Sequence, residues 1–380
     1  MSIQGKTAVV GLGYTAQGRV PGRTALSFYM EASRNALADA GMRASDVDGI
    51  IIQPCPTDHS ISFGSLAQEL GIALRFGADQ QAHGASAATI IQHAAMAVHT
   101  GLCKSVLCAF ADTSQSAPLR GSVIYQRALG TDAAYGLFGV ASGYALAARR
   151  HMEEYGTTSR QLGAVAVAFR KHAALNPRAQ MRQPITIDDH QASRLVVEPL
   201  HLLDMCLVSD GGRAFIITSA DHARSLRQPP VYILGFGQGH PIDSLLRRPS
   251  LTTTGAVQSG RLAFQMAGVS PADIDVALIY DAFTSAVIVQ LEDLGFCAKG
   301  EGGPFVEDGR LELGGPLPAN TSGGLLSDVY LQGWVGPPEA VLQLRKQGGE
   351  RQVRDAELAV VTGSGGVLST HGTIILGDKR

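Results

Sequence analysis

Residues 36–52 read ALADAGMRASDVDGIII, and residues 262–279 read LAFQMAGVSPADIDVALI. Laid over one another, Gly41 falls on Gly268, Asp46 on Asp273 and Asp48 on Asp275. Each copy runs from the apolar end of a helix through a glycine placed to cap it. It then passes an aspartate-bearing turn and enters a short apolar strand. One such unit is an ordinary α/β piece, whereas two in one chain indicate a duplication.

Outward from the first copy, 7–12 reads as a strand and 23–41 as a helix with Leu26, Met30, Ala36 and Leu37 on one side. A strand at 47–53, a short helix at 63–70, a small-residue loop-helix at 80–101 and a strand at 105–110 follow. Around the second copy the order restarts: strand 231–235, helix 254–268, strand 276–280, helix 284–294. A glycine-rich loop at 300–320, a helix ending near Lys346, and strands 358–362 and 373–376 complete it. The loop-helix at Gly84 parallels one at Gly323, and SVLCAF (105–110) parallels ELAVVT (357–362). Alternation of this kind predicts an α/β fold with a largely parallel sheet covered on both faces. The matching loop-helices are expected to meet about a pseudo-twofold axis.

Between the copies, 112–199 loosens into polar loops with two helices, 139–155 and 159–175, a long insertion read as a cap. The polar, proline-containing stretch 224–230 divides the halves, 1–225 and 226–380. A chain of 380 residues, 45% hydrophobic and 17% charged, predicts a large core and surface buried against a second subunit. The net charge of −2 without a basic block argues against nucleic acid. No signal peptide and no membrane span are read. Five scattered cysteines without a CxxC pair point to a reducing cytoplasm, with neither a disulfide frame nor structural zinc.

Chemistry concentrates in Asn320–Trp334, NTSGGLLSDVYLQGW. Adjacent glycines let backbone and ligand approach closely, and 325–331 reads as the start of an apolar helix that aims N–H groups at the loop. Tyr330 is expected within its first turns.

Taken together, ASDVDGIII, VSDGGRAF, YDAFTS, NTSGGLLSDVYLQG and the late GSGG resemble the thiolase superfamily across essentially the whole chain, in its sterol-carrier and lipid-transfer branch. The resemblance implies a five-layered αβαβα sandwich of two βαβαβαββ halves, dimerisation, and an acyl-CoA bound under a loop domain. It also implies a nucleophilic cysteine at a buried helix N-terminus in a Cys-(Ala or Gly)-Ser-Gly motif. Here that motif is Gly84-Ala85-Ser86-Ala87, and TGSGG (362–366) occupies the region of the second, acid/base cysteine. Asn-Glu-Ala-Phe has become Tyr280-Asp281-Ala282-Phe283, and the histidine of Gly-Gly-x5-His has become Tyr330.

Two phenols at these stations resemble the thiolase-like aldolases of steroid side-chain degradation. That likeness implies retro-aldol cleavage of a β-hydroxyacyl-CoA with Tyr280 and Tyr330 as base and proton relay. It requires no cofactor, coenzyme A being part of the substrate. Backbone N–H groups of Gly365, Gly366 and the region of Gly84 are expected to hold the enolate, with Ser86, Gly323 and Gly324 lining the substrate space. His83 reads as pocket lining or base, or equally as a core histidine. His371 is a weaker site candidate, and Asp281 an acceptor that holds Tyr280 and nearby amides. The resemblance further implies a partner protein with a zinc ribbon and an OB-fold, linked to a hydratase. Two alternatives stand beside the lyase: a cysteine-less thiolase or acyltransferase subunit, and a non-catalytic lipid or acyl-CoA carrier. His190 with Asp188 and Asp189 lacks a complete ligand set for metal. Gly11-Leu12-Gly13 lacks the remainder of a dinucleotide fingerprint.

Overall fold

The computed structural model describes residues 3–117, 130–137 and 139–380. The predicted cap residues 118–129 and Phe138 lie outside them. The strands are β1 (Thr7–Tyr14), β2 (Gly49–Ile52), β3 (Phe76–Asp79), β4 (Ser105–Thr113), β5 (Leu195–Val197), β6 (Leu200–His201), β7 (Asp210–Ser219), β8 (Val231–Gly239), β9 (Val276–Leu278), β10 (Leu358–Gly365) and β11 (Thr370–Gly377). Nine of them follow the order β3-β2-β4-β7-β1-β8-β11-β10-β9. The first five come from the N-terminal part of the chain and the last four from the C-terminal part. The two groups meet through only two residue pairs, Ala8 with Tyr232 and Val9 with Val231. The expected pair of sheets is therefore two half-sheets hinged at a narrow joint.

Helix Ala25–Ala40 packs on β1, β4 and β7, and helix Ala256–Ala267 packs on β8 and β11. Helix Ser86–His99 touches strands of both half-sheets, and helix Gly336–Leu344 lies on β9, β10 and β11. The layering runs helix, half-sheet, helices, half-sheet, helix, as the sandwich requires.

The duplication holds down to individual atoms. Gly41 and Gly268 cap their helices at the same left-handed φ of 71°, a conformation that glycine adopts without penalty. Asp46 accepts the N–H of Arg43 at 2.8 Å, and Asp273 accepts that of Ser270 at 2.8 Å. Asp48 accepts the N–H groups of Lys104 and Ser105, and Asp275 those of Glu357 and Leu358. A further repeat escaped the sequence reading. A Cβ on Gly11 or Gly13 would meet the carbonyls of Ala36 or Ala32, and one on Gly235 or Gly237 those of Ala263 or Ser259. Gly11 and Gly13 are there to let a helix press on a strand.

Two expectations are corrected. The sheet is mixed, since five of its eight strand pairings are antiparallel. The parallel pairs are β2 with β3, β2 with β4, and β9 with β10, all joined through helical crossovers. The cap separates β4 from β7, and a tight turn at Gly366 joins β10 to β11, so those chains reverse. Second, 325–331 is not a helix. Only Gly324–Ser327 forms a turn of helix. The carbonyl of Leu325 accepts from Leu207 N–H, that of Ser327 from Met181 and that of Asp328 from Gln180. Acceptors that a helix would need are taken by Gln180 and Met181 of the cap and by Leu207 beyond it.

Candidate active site

Gly84 sits at the mouth of helix Ser86–His99, in a 3-10 turn formed by His83–Ala85. A Cβ there would lie 2.4 Å from the Tyr280 hydroxyl and 2.2 Å from the Ser364 carbonyl. The phenol of Tyr280 thus fills the volume that any side chain at 84 would claim. Gly84, Tyr280 and the GSGG segment are brought together, as the sequence reading required.

Tyr280 is held by its backbone. Its N–H donates to Thr362 Oγ1 at 2.9 Å, and its carbonyl accepts from Gln290 Nε2 at 2.8 Å. Thr362 in turn donates to Gln290 Oε1 at 2.8 Å. Asn320 pins the preceding residue, accepting from Ile279 N–H at 2.7 Å and donating to its carbonyl at 2.8 Å. Thr362 lies in the segment where a second cysteine would stand, and its hydroxyl instead orients the first tyrosine.

Asp281 is buried and accepts the N–H groups of Leu325 at 2.9 Å and Leu326 at 3.3 Å. Burial pushes its carboxyl up to about 7, against the pull of those amides. A Cβ on Gly324 would lie 2.0 Å from its Oδ2, and one on Gly323 would lie 2.5 Å from Ala173 Cβ of the cap helix Ser159–Ala174. The two glycines therefore admit a carboxylate and a helix, and both have positive φ, 62° and 102°. Tyr330 is half-buried and packs against the core, with its N–H donated to Ser209 Oγ at 3.0 Å.

A cavity of about 20 Å³ adjoins Tyr280, lined also by Asp281, Asn320, Gly324, Gln332 and Thr362. Gln332 accepts from Gln53 Nε2 at 2.6 Å, and Gln53 accepts from the buried Trp334 indole at 2.6 Å. Ser209, Gln290, Thr362 and Gln332 were missed in the sequence reading. Ser209, Thr362 and Gln332 lie within motifs already read, whereas Gln290 does not; the φ of 50° that singles out Gln332 appears only in three dimensions.

The remaining candidates divide. His83 has an exposed side chain and a φ of 51°, which sets aside its reading as a core histidine. Its N–H donates to Gln81 Oε1 at 2.9 Å. Ser86 accepts Ala82 N–H at 2.8 Å and donates to Gln81 at 3.3 Å, so its hydroxyl closes the turn and does not line the cavity. Gly365 and Gly366 lie at the end of β10 and in the following turn. A Cβ on Gly365 would press on the Ala82 carbonyl at 2.3 Å. His371 is fully buried on β11, paired with Ser364, and burial holds its imidazole near 3. Among the described residues neither of its ring nitrogens has a partner.

No cysteine is poised as a nucleophile. Burial pushes the thiols of Cys55 and Cys297 up to about 12 and that of Cys103 up to about 11, and it raises Cys108 as well. Cys206, distant in sequence, comes close to the site, donating its N–H to the Ala282 carbonyl at 3.0 Å. Burial and the Asp281 carboxylate raise its thiol also. Among the described residues no cluster of His, Cys, Asp or Glu is arranged to hold a metal ion, and no helix is long and apolar enough to cross a membrane.

A family profile described as thiolase C-terminal domain-like matches residues 237–378. The chain is 41% identical to a steroid side-chain-cleaving aldolase of Thermomonospora curvata, over 99% of each chain. It is 40% identical to a 17-hydroxy-3-oxo-4-pregnene-20-carboxyl-CoA lyase of Mycobacterium tuberculosis, over 98% of this chain and 97% of that one. The solved structure of an Ltp2-ChsH2(DUF35) aldolase superposes with a TM-score of 0.91 at 40% identity, covering 100% of this chain and 99% of that one.

Proposed function

We propose that this chain, which belongs to the thiolase-like family of steroid side-chain-cleaving aldolases, cleaves the side chain of a steroid β-hydroxyacyl-CoA by a retro-aldol step. A base takes the β-hydroxyl proton, and the oxygen lone pair closes to a carbonyl as the Cα–Cβ bond breaks. The electron pair of that bond passes into the thioester as an enolate, which a proton at Cα converts to a shorter acyl-CoA. The products are a ketone or aldehyde and that thioester. Tyr280 and Tyr330 are assigned as base and proton relay, with backbone N–H groups of Gly365, Gly366 and the region of Gly84 holding the enolate.

The observation that carries this reading is the exchange at Gly84, where the Tyr280 phenol occupies the volume a nucleophilic side chain would need. A covalent acyl-enzyme has nowhere to form at that station, whereas a proton transfer needs only the phenol. The cavity of about 20 Å³ has room for about one water molecule and not for a ring system. The steroid body and coenzyme A are assigned to the space under the cap.

A protein partner fits the same reading, because the solved relative carries ChsH2(DUF35) in its name. We assign the chain a small partner of zinc-ribbon and OB-fold type, linked to a hydratase, and a homodimeric, cytoplasmic form. Activity in full without any second protein would remove that partner.

The test uses 17-hydroxy-3-oxo-4-pregnene-20-carboxyl-CoA with wild type, Tyr280→Phe and Tyr330→Phe. Each phenylalanine keeps the ring, so melting should change little, by about 0.5–1.5 kcal/mol if a buried hydrogen bond is lost. Turnover should fall about 10²–10⁴-fold. Near wild-type cleavage by both variants would end the assignment. An acyl adduct on Cys206 in intact-mass spectra would favour the acyltransferase reading instead.

A further inference from the structure

Between the cap and β7, residues Asp204 to Ser209 run alongside both tyrosine-bearing loops. At the near end, Asp204 is fully buried. Its Oδ1 accepts from Thr284 Oγ1 at 2.5 Å and faces His190 Nε2 at 2.8 Å, and its Oδ2 accepts His201 N–H at 2.7 Å. Thr284 directly follows the Tyr280–Phe283 loop. Met205 forms a bridge with Phe283, and Cys206 N–H donates to the Ala282 carbonyl. Leu207 N–H then crosses to the Leu325 carbonyl in the other loop. At the far end, the buried Ser209 accepts Tyr330 N–H at 3.0 Å and is itself held by Gln180 Nε2 at 2.6 Å. Asp204, at the end of the 3-10 turn Leu202–Asp204, and the residues after it up to Ser209 thus hold first the Tyr280 loop and then Tyr330.

We infer that Asp204–Ser209 is a positioning strap that sets the separation of the two phenols. Ser209 is the positioning residue for Tyr330, and Asp204 with Thr284 is the anchor on the Tyr280 side. This rests on the assignment of both tyrosines to the reaction. Tyr330 stands beyond the single helical turn Gly324–Ser327, so no helix fixes its place. Its backbone N–H instead ends on Ser209. The strap is part of the same chain as the cap, so a cap displaced by a bound thioester would shift both stations together.

The experiment compares Ser209→Ala and Ser209→Thr, alone and in the Tyr330→Phe background, with the same steroid thioester. Ser209→Ala should lower kcat about 10- to 100-fold, the scale of a small misplacement of a catalytic group. KM should stay within about two-fold, and Ser209→Thr, which keeps an acceptor, should recover most of the loss. Added to Tyr330→Phe, Ser209→Ala should slow turnover no further, because the hydroxyl it positions is already gone. If Ser209→Ala does not fold, Thr284→Val against Thr284→Ser supplies the same comparison at the anchor, in the Tyr280→Phe background. Wild-type kcat in Ser209→Ala, or a further loss on top of Tyr330→Phe, overturns the strap while the tyrosine assignment stands. Wild-type turnover in Tyr330→Phe alone overturns the role of Tyr330 on which the strap rests.

Discussion

At the scale of single residues, the decisive exchange is a side chain removed at one position and a phenol installed at another. Gly84 and Tyr280 explain each other, because the ring needs the space that the glycine vacates. Returning bulk to position 84 is therefore the sharpest probe of the site. Gly84→Ala places a methyl 2.4 Å from the phenol and 2.2 Å from a backbone carbonyl that has little room to move. We expect a loss of about 1–3 kcal/mol in thermal or denaturant unfolding, together with a large fall in turnover as Tyr280 is displaced. Gly84→Cys should behave the same way and show no thiolase activity, since Tyr330 stands where the activating histidine would be. An acyl adduct on the introduced thiol in intact-mass spectra would contradict this. That Gly84 matters was legible from the motif; what fills its place was not, since Tyr280 lies almost two hundred residues away.

At the scale of elements, the short turn Gly324–Ser327 is held on opposite sides by groups that are remote in sequence. Asp281 takes the N–H groups of Leu325 and Leu326, while Leu207 and the cap residue Met181 take the carbonyls of Leu325 and Ser327. A carboxyl raised to about 7 by burial binds its proton more tightly folded than unfolded. Its contribution to stability is thus fullest below the unfolded-state value of about 4 and is lost as pH rises through about 7. Asp281→Asn has no such proton. The melting temperature of wild type relative to Asp281→Asn should therefore decline between pH 4 and pH 8, as thermal scans in matched buffers will measure. A constant difference would mean that the Asp281 carboxyl is ionised throughout.

Across the whole molecule, two copies of one unit carry equivalent polar anchors. Asp48 ties a strand start in the N-terminal half through Lys104 and Ser105, and Asp275 does the same through Glu357 and Leu358. Loss of either carboxylate leaves two N–H groups without an acceptor, at about 1–3 kcal/mol. Asp48→Ala and Asp275→Ala should each lower stability by that order. Because the two anchors share no partner, the double variant should lose their sum within about 0.5 kcal/mol. Denaturant unfolding of the four proteins will measure it, and a strongly non-additive double variant would show that the halves do not carry these anchors independently.

The sequence by itself determined what is local or repeated. Helix caps at Gly41 and Gly268, the aspartate turns and the strands beside them follow from short-range hydrogen bonding and apolar period, and two copies of each made the duplication plain. Motif order was enough to single out Gly84 and the Tyr280–Asp281 station, and the structure sets the Tyr280 phenol against Gly84. Tertiary structure alone decided where long-range partners outbid local ones. Residues 325–331 have helical composition, yet Leu207, Gln180 and Met181 take the carbonyls that would have closed the next turn. Strand β3, with three residues half-buried and Asp79 exposed at a sheet edge, has too little apolar pattern to be legible. The direction of β7 and β11 depended on how the cap and the Gly366 turn return the chain. Gln290, Thr362 and Ser209 gained their places in the site from hydrogen bonds spanning 10, 82 and 121 residues, separations that no local pattern encodes.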